Sequence, residues 1–292
     1  MVKGSTKVCM ILGYPLKHSR SPLMHNAAFA VLGLDYIYIP VEIRPGGLAS
    51  MVKAIREQEN FGGANITVPY KVEVREYLDG WSKEAERIGA VNTLSRRGGK
   101  LWGENTDGRG FLTSLREEAG FLPQGKRVML LGAGGAARAV AQSLVQEGVE
   151  KIYLVNRTAE KARQLTSSLS GRAESGSVMP MSFADPPFGD ALQGCQLLIN
   201  STSVGLGRDD PPLFDYHLLP SMLLVYDLIY DPPLTPLLRA AQERGCAVLN
   251  GLGMLVHQGA LSFEIWTGRR APVEAMREAV QARDNLLDMP VR

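Results

Sequence analysis

Lys71 and Asp107 are two residues that could carry acid–base chemistry together. Lys71 follows the predicted strand GANITV, and Asp107 stands in NTDGRGF just before a predicted helix. Reversible reduction of a carbonyl by hydride needs a proton donor at the oxygen, and a lysine held by a carboxylate can supply it. Taken alone, Asp107 could equally be a helix cap and Lys71 a solvated charge, so the pair depends on its neighbours.

Other polar residues accompany this pair in the first third of the chain. Asn65 and Thr67 lie at the end of the predicted strand that Lys71 follows, and Asn92 and Asn105 stand near Asp107 in sequence. In parallel sheets, the carboxyl ends of strands carry ligands. These residues therefore indicate a polar site at one edge of a sheet.

Ser19 and Ser21 form a second polar cluster, in HSRSP. Residues two apart on extended chain point the same way, and two hydroxyls beside a helix start could bind a carboxylate. In the alternative interpretation, Ser21 caps the helix and Ser19 lies in the preceding turn.

A glycine-rich turn lies in VMLLGAGGAARAVAQSLVQEG, between a predicted strand and a predicted helix. Gly132, Gly134 and Ala137 fill the G-x-G-x-x-A pattern of dinucleotide-binding turns. There, the first glycine makes the turn, the second lets the backbone approach a pyrophosphate, and the helix N-terminus attracts the anion. The pattern predicts a dinucleotide site.

The residues after the next predicted strand, KIYLV, suggest which dinucleotide binds. NAD enzymes usually carry Asp or Glu there, whereas this chain has Arg157, followed by Thr158 and Lys161. A guanidinium suits the extra 2′-phosphate of NADP. The alternative is an ordinary solvated arginine that closes a strand.

Two α/β series would position these groups. The first reads VCMIL, SPLMHNAAFAVLGL, YIYIPVEI, GLASMVKAIREQ and GANITV, the β-α-β-α-β rhythm of a parallel sheet. Its first helix has Ser21 as predicted N-cap, Pro22 next and Gly33 past its end.

The second series opens after PQGK, which resembles a linker and places a domain change near residues 108–125. Its predicted strands are VMLL, IYLV, QLLIN, LLVYDLIY and AVLN. Thr235 is the predicted cap of its last helix, with Pro236 following.

Composition excludes several other classes of protein. The 292 residues are 45% hydrophobic and exceed what one core usually holds, so two domains are expected. The 32 basic and 30 acidic residues nearly cancel, which indicates no nucleic-acid partner. No apolar stretch approaches transmembrane length, so no membrane partner is expected.

The three cysteines, Cys9, Cys195 and Cys246, are widely spaced and lack a C-x-x-C pair. Such spacing argues against a disulfide framework or a zinc site and is typical of a reducing compartment. We expect a cytoplasmic protein without a metal. A homodimer is expected only as the commonest kind of oligomer.

Eight segments together carry a more specific signal. The chain resembles the shikimate dehydrogenase family in 13–26 (GYPLKHSRSPLMHN), 63–71 (GANITVPYK), 89–94 (GAVNTL), 105–111 (NTDGRGF), 132–139 (GAGGAARA), 156–158 (NRT), 200–205 (NSTSVG) and 251–260 (GLGMLVHQGA). The segments come in the order of the family and span Gly13 to Trp266.

The resemblance implies an α/β protein of two domains with the active site in the cleft between them. Residues 1–107 would form the substrate-binding domain, completed by C-terminal helices in 252–292. Residues 108–251 would form a Rossmann-type, doubly wound NADP-binding domain. The implied activity is the reversible NADPH-dependent reduction of 3-dehydroshikimate to shikimate, a step of aromatic amino acid (chorismate) biosynthesis.

The resemblance also assigns residues to roles. Lys71 would be the catalytic acid/base and Asp107 its partner. The substrate contacts would be Ser19, Ser21, Thr67, Lys71, Asn92, Asp107, Tyr230 and Gln258. The cofactor contacts would be Gly132, Ala133, Gly134, Gly135, Ala136, Asn156, Arg157, Thr158, Lys161, Leu228 and Gly251. Leu228 departs from the Met that the family often has there.

Two alternatives remain open at this point. A quinate/shikimate dehydrogenase using NAD is the nearest, although Asn-Arg-Thr at 156–158 argues against NAD. A non-catalytic sensor that binds NADP and shikimate is the other, and Lys71 and Asp107 argue against it.

Overall fold

A computed structural model describes residues 2–169, 177–207 and 209–287, with side chains up to 282. The chain divides into two compact units, Met1–Gly110 with Leu255–Arg292, and Phe111–Met254. Both boundaries fall inside helices, Asp107–Ala119 (α4) and Leu252–Thr267 (α9). The predicted linker PQGK is instead a turn within the second unit, where Lys126 N donates to Pro123 O over 3.0 Å before the next strand.

The first unit is built on a six-stranded mixed sheet of order β2-β1-β3-β5-β6-β4. Its strands are Lys7–Gly13 (β1), Tyr36–Glu42 (β2), Phe61–Ile66 (β3), Gly80–Trp81 (β4), Thr93–Arg97 (β5) and Lys100–Glu104 (β6). The strands β1, β2 and β3 are parallel, as the β-α-β-α-β rhythm predicted. The strands β3, β5 and β6 are antiparallel.

Helices cover both faces of this sheet. They are Ser21–Val31 (α1), Leu48–Glu57 (α2), Lys83–Ile88 (α3), the later part of α9 and Val273–Leu287 (α10). On one face, α2 buries Leu48, Val52 and Ile55, spaced at helical period, against the sheet. On the other, Phe29 of α1 stacks on Phe263 of α9 with 5.3 Å between ring centroids.

The start of α1 differs from the prediction. Ser21 is the first helical residue, not the cap, and the cap position is Arg20, whose side chain is fully buried. Ser19 supplies the side-chain acceptor instead, because Ser21 N donates to Ser19 Oγ over 3.4 Å. The end of the helix follows the prediction, since Gly33 has a φ of 61° just past it.

The second unit contains a six-stranded parallel sheet of order β12-β11-β10-β7-β8-β9. Its strands are Arg127–Leu131 (β7), Lys151–Val155 (β8), Val178–Met181 (β9), Leu197–Asn200 (β10), Leu224–Asp227 (β11) and Ala247–Leu249 (β12). Counted from β7, the order is that of a Rossmann sheet. Five of these six strands were predicted from sequence; β9, which contains Pro180, was not.

Alternate strand residues face opposite sides of this sheet, each covered by helices. Val128 and Leu130 pack with the helices α4, Gly135–Gln146 (α5) and Ala159–Leu169 (α6). Met129 and Leu131 pack with Phe188–Gln193 (α7) and Pro236–Glu243 (α8). The doubly wound fold predicted from sequence is therefore confirmed. Within the described residues, no helix is long and apolar enough to span a bilayer.

Candidate active site

The Lys71 ammonium and the Asp107 carboxylate form an ion pair in the first unit. Lys71 Nζ lies 2.5 Å from Asp107 Oδ2, and the two side chains are 14% and 4% exposed. Lys71 follows β3, and Asp107 opens α4. The carboxylate thus engages the lysine, while Asn105 Oδ1 accepts from the backbone N–H of Asp107 over 3.1 Å at the start of α4.

Asn92 holds the other oxygen of the same carboxylate. Its Nδ2 donates to Asp107 Oδ1 over 2.7 Å and to Thr106 Oγ1 over 2.8 Å. Its Oδ1 accepts from Thr106 N over 2.9 Å, which fixes the orientation of the amide. Both oxygens of Asp107 are therefore held by named donors. Geometry of this kind keeps an acid–base group in place without reorganisation.

The helix α9 brings Gln258 to this cluster. Gln258 Oε1 lies 3.4 Å from Asn92 Nδ2. The approach is close because Gly110 of α4 faces Gln258, and a β-carbon on Gly110 would lie 2.6 Å from Gln258 N. A glycine at 110 is what allows the two helices to pack here.

The serine loop and Thr67 lie at the carboxyl ends of β1 and β3. Thr67 N donates to Leu12 O over 2.9 Å, and a β-carbon on Gly13 would lie 2.3 Å from Thr67 Cγ2. Gly13 leads directly into the loop that carries Ser19 and Ser21. Ser19 is half-buried, Ser21 is buried, and the two are bonded to each other rather than to the lysine–aspartate pair.

Glu42, which sequence analysis did not select, secures this loop. Its Oε1 accepts from Leu16 N over 2.7 Å. A carboxylate that accepts a backbone N–H fixes the loop in one conformation. In the sequence, Glu42 is the charged residue of the predicted strand YIYIPVEI. Nothing in that pattern indicates a contact with the serine loop.

In the second unit, the glycine turn lies between β7 and α5. Gly132 has a φ of 109°, and its N–H donates to Val155 O over 2.8 Å, which ties the turn to the end of β8. Gly134 is the N-cap of α5, and nothing lies within 4 Å of where its β-carbon would be. The first turn of α5 carries no acidic residue. These features suit a pyrophosphate.

The residues after β8 follow this turn directly. Arg157, Thr158 and Lys161 are exposed, and Asn156 Nδ2 donates to Thr158 O over 2.9 Å. Because Leu131 and Val155 are register partners in β7 and β8, the arginine segment and the glycine turn leave the sheet side by side. Their proximity gives one end of the unit both backbone donors and cationic side chains for phosphate.

Leu228 and Gly251 are in direct contact. A β-carbon on Gly251 would lie 2.0 Å from Leu228 O, and Gly251 N donates to Ile229 O over 3.0 Å. Tyr230 follows on the same segment and is half-buried. The structure thus gathers these three residues in the second unit, whereas the other seven expected substrate contacts belong to the first unit.

Asp227 is a buried carboxylate that sequence analysis overlooked. It accepts from Asn200 Nδ2 over 3.0 Å, from Ile229 N over 3.0 Å and from Thr235 Oγ1 over 2.7 Å. Burial raises its pKa to about 6, against the three hydrogen bonds, which lower it. The residue joins the loops after β10 and β11, and the latter carries Leu228 and Tyr230.

Thr235 caps the helix α8, as the sequence predicted. Its Oγ1 accepts from Leu238 N over 3.3 Å, and Pro236 opens the helix.

In the part of the chain that the structure describes, no three or more histidine, cysteine, aspartate or glutamate side chains are grouped to bind a metal.

The fold and the site define a class of protein: an α/β oxidoreductase with a Rossmann unit and a separate unit that carries a lysine–aspartate pair. Family models support this assignment. The shikimate dehydrogenase substrate binding domain matches residues 11–94. The shikimate/quinate 5-dehydrogenase model matches 117–203, and the shikimate 5′-dehydrogenase C-terminal domain matches 251–281.

Individual relatives and solved structures support the same family. The shikimate dehydrogenase (NADP(+)) of Methanopyrus kandleri is 44% identical over 283 residues, 96% of each chain. A crystal structure of a shikimate dehydrogenase in complex with NADP+ superposes with a TM-score of 0.90 at 38% identity and covers 97% of each chain. The Thermus thermophilus enzyme, in complex with NADP(H) and shikimate, has a TM-score of 0.83 at 36% identity, covering 95% of this chain and 99% of that one.

The chain belongs to the shikimate dehydrogenase family, as its motifs predicted.

Proposed function

We propose that this protein catalyses the reversible NADPH-dependent reduction of 3-dehydroshikimate to shikimate. Membership of a family whose curated relatives are named NADP(+)-dependent shikimate dehydrogenases supports the reaction. The observation that carries the proposal for this chain is the Lys71–Asp107 ion pair, held from behind by Asn92. A proton donor kept in one geometry is what the reduction of a carbonyl requires.

In the proposed mechanism, Lys71 is the acid/base. In the direction of reduction, its ammonium gives a proton to the ketone oxygen as the ketone carbon gains a hydride, and the product is the secondary alcohol. The lysine then takes a proton from water. Asp107 orients the ammonium and balances its charge, while Asn92 keeps the carboxylate from turning away.

The second unit fits NADP. The backbone of Gly132–Ala136 would hold the pyrophosphate, since Gly134 leaves open space at the start of α5, where the cap residue makes no side-chain hydrogen bond. Arg157, with Asn156, Thr158 and Lys161 around it, would hold the 2′-phosphate through charge-assisted hydrogen bonds. Leu228 and Gly251 would adjoin the nicotinamide. When bound, NADPH supplies the hydride.

The remaining substrate contacts follow from the motifs of the family. Ser19 and Ser21 would bind the carboxylate of shikimate, on the loop that Glu42 secures. Thr67, Asn92 and Gln258 would bind its hydroxyls. Tyr230 would contribute a contact from the second unit.

Absorbance of the reduced nicotinamide, with purified protein and either shikimate or quinate paired with either NADP+ or NAD+, tests the proposal. We expect activity with shikimate and NADP+ to exceed that of the other three pairings. A preference for quinate or NAD+ would make the protein a quinate/shikimate dehydrogenase instead. Binding of NADPH with no turnover in any pairing would make it a sensor.

The pathway, the location in the cell and the oligomeric state of the protein are predictions. The family implies a place in the pathway to chorismate and the aromatic amino acids, which complementation of a strain that lacks this step would test. Cell fractionation would test the expected cytoplasmic location. Light scattering coupled to gel filtration would test the expected homodimer.

A further inference from the structure

Behind the Lys71–Asp107 pair, a row of buried polar side chains crosses the first unit. The row begins at Asn92, whose amide orientation is fixed because its Oδ1 accepts from the backbone N–H of Thr106. Thr93 Oγ1 lies 2.9 Å from that same Oδ1. An amide oxygen can only accept, so the Thr93 hydroxyl must donate to it.

Ser262 of α9 supplies the next link. With its proton committed to Asn92, Thr93 Oγ1 can only accept at its remaining contacts, and Ser262 Oγ lies 2.8 Å away. Ser262 Oγ also donates to the carbonyl oxygen of Gln258 over 3.1 Å, so the single proton of Ser262 is shared between that carbonyl and Thr93 Oγ1. Thr93 and Ser262 are both fully buried, so no water competes for either hydroxyl.

Asn65 and Tyr38 complete the row. Asn65 Nδ2 donates to Ser262 Oγ over 3.0 Å and to the carbonyl oxygen of Asn92 over 3.2 Å, and the second contact fixes which end of the amide is nitrogen. Asn65 Oδ1 accepts from the Tyr38 hydroxyl over 2.7 Å. A connected series of donors and acceptors thus leads from Tyr38 to Asp107, and Ser262 also donates out of this row to the Gln258 carbonyl.

We propose that Thr93 and Ser262 are positioning residues for the Lys71–Asp107 pair. Their hydroxyls hold the Asn92 amide with Nδ2 toward Asp107, and Asp107 in turn holds the lysine. The inference rests on the proposed function, because it assigns residues to the same catalytic pair. Neither hydroxyl touches the reacting atoms.

Two physical effects make these hydroxyls matter. Hydrogen bonds that run in one direction polarise one another, so the Thr93 donor strengthens the donation from Asn92 to Asp107. Removing the hydroxyl also leaves Asn92 Oδ1 with one partner fewer in a site that is closed to water, which favours rotation of the amide. Both effects would loosen Asp107 and therefore Lys71.

The matched variants Thr93→Val and Thr93→Ser test this proposal. Valine keeps the shape of threonine and removes the hydroxyl, whereas serine keeps the hydroxyl and removes a methyl group. We expect Thr93→Val to lower kcat about tenfold with an unchanged KM for NADP+, which corresponds to the loss of one buried hydrogen bond. We expect Thr93→Ser to keep kcat within about twofold of wild type.

A second readout needs no turnover. Acylation of lysines followed by peptide mass spectrometry reports how available the Lys71 amine is, with exposed Lys100 of the same unit as the internal reference. Thr93→Val should label faster at Lys71 than wild type does, and Thr93→Ser should not. Ser262→Ala, which keeps a good helix former in α9, should behave as Thr93→Val does and serves if the valine variant fails to fold.

Equal kcat and equal labelling in wild type, Thr93→Val and Ser262→Ala would overturn the proposal. An equal loss of kcat in Thr93→Val and Thr93→Ser would also overturn the proposal, because the loss would then come from the change in the side chain and not from the missing hydroxyl. A wild-type protein with no dehydrogenase activity would instead refute the proposed function, and the Lys71 labelling would still decide whether these hydroxyls hold the pair.

Discussion

Thr235 Oγ1 donates to the buried carboxylate of Asp227 over 2.7 Å, and the same hydroxyl caps α8. One side chain therefore joins the start of a helix to the end of β11. Because Asp227 also accepts from Asn200 Nδ2, its protonation state affects the two loops that follow β10 and β11. The second unit thus contains a titratable group on which its local geometry depends.

Asp227 should make stability fall as the pH rises. Burial raises its pKa from 3.8 to about 6 in the folded protein. Protonation of Asp227 therefore adds about 3 kcal/mol to the free energy of unfolding, as the linkage between pKa and stability gives. This contribution is fully present below pH 3.8, the ordinary pKa of the group, and is lost as the pH rises to the folded pKa of about 6. In Asp227→Asn, which resembles the neutral acid, this contribution to the pH dependence should be absent.

Thermal unfolding of wild type and Asp227→Asn between pH 4 and 8, at constant ionic strength, checks this expectation. The difference in Tm should shift in favour of the variant between pH 4 and about 6 and stay level above that. A difference that stays constant over the whole range would show that Asp227 is ionised throughout.

Replacing Lys71 by Met should lower kcat about 100-fold or more, since proton transfer by a positioned side chain contributes at least that factor. Methionine keeps most of the apolar stem, so packing changes little. The KM for NADP+ should be unaffected, because the expected cofactor contacts belong to the second unit. Steady-state kinetics at saturating NADP+ would separate the two parameters. A raised KM for shikimate with unchanged kcat would reduce Lys71 to a binding residue.

The local parts of this molecule could be predicted from sequence. The glycine turn at Gly132 and the cap at Thr235 depend on a few adjacent residues, and their chemistry follows from residue type. The Gly98-Gly99 turn between β5 and β6 was equally local, with φ values of 55° and 79°, and was missed although two glycines between β-rich runs favour such a hairpin.

The parts that escaped prediction join residues far apart in the chain. Asn65 and Ser262 are bonded across 197 positions, and Asn200 and Asp227 across 27. A serine in an apolar helix gives no sign of its partner until the sheet order is known. The Lys71–Asp107 pair could be proposed only because the motifs of a family supplied what spacing did not.

Arg157→Ala should weaken the use of NADP+ while sparing NAD+. Charge-assisted hydrogen bonds to a phosphate contribute about 1.5–3 kcal/mol, so kcat/KM for NADP+ should fall about 10- to 100-fold. Arg163→Ala is the matched control, because Arg163 is also exposed, lies in α6, and pairs with Glu160 over 3.1 Å. Assays with both cofactors check the expectation. An equal loss for NADP+ and NAD+ would show that Arg157 does not read the 2′-phosphate.

Gly110→Ala should displace Gln258 and raise the KM for shikimate. The added β-carbon would meet Gln258 N at 2.6 Å and Gln258 Cα at 2.9 Å, and a backbone cannot move aside as a side-chain end can. Such overpacking costs about 1–3 kcal/mol, which exceeds the gain of about 0.5–1 kcal/mol from replacing a helical glycine by alanine. Stability should therefore fall.

The control for this effect is Gly189→Ala in α7, where nothing lies within 4 Å of the new β-carbon. That variant should be as stable as wild type or more stable, with an unchanged KM for shikimate. Thermal unfolding and steady-state kinetics on both variants make the comparison. If Gly110→Ala matched Gly189→Ala in Tm and KM, the contact between α4 and Gln258 would not constrain the site, and the closeness of the two helices at Gly110 would have no part in binding the substrate.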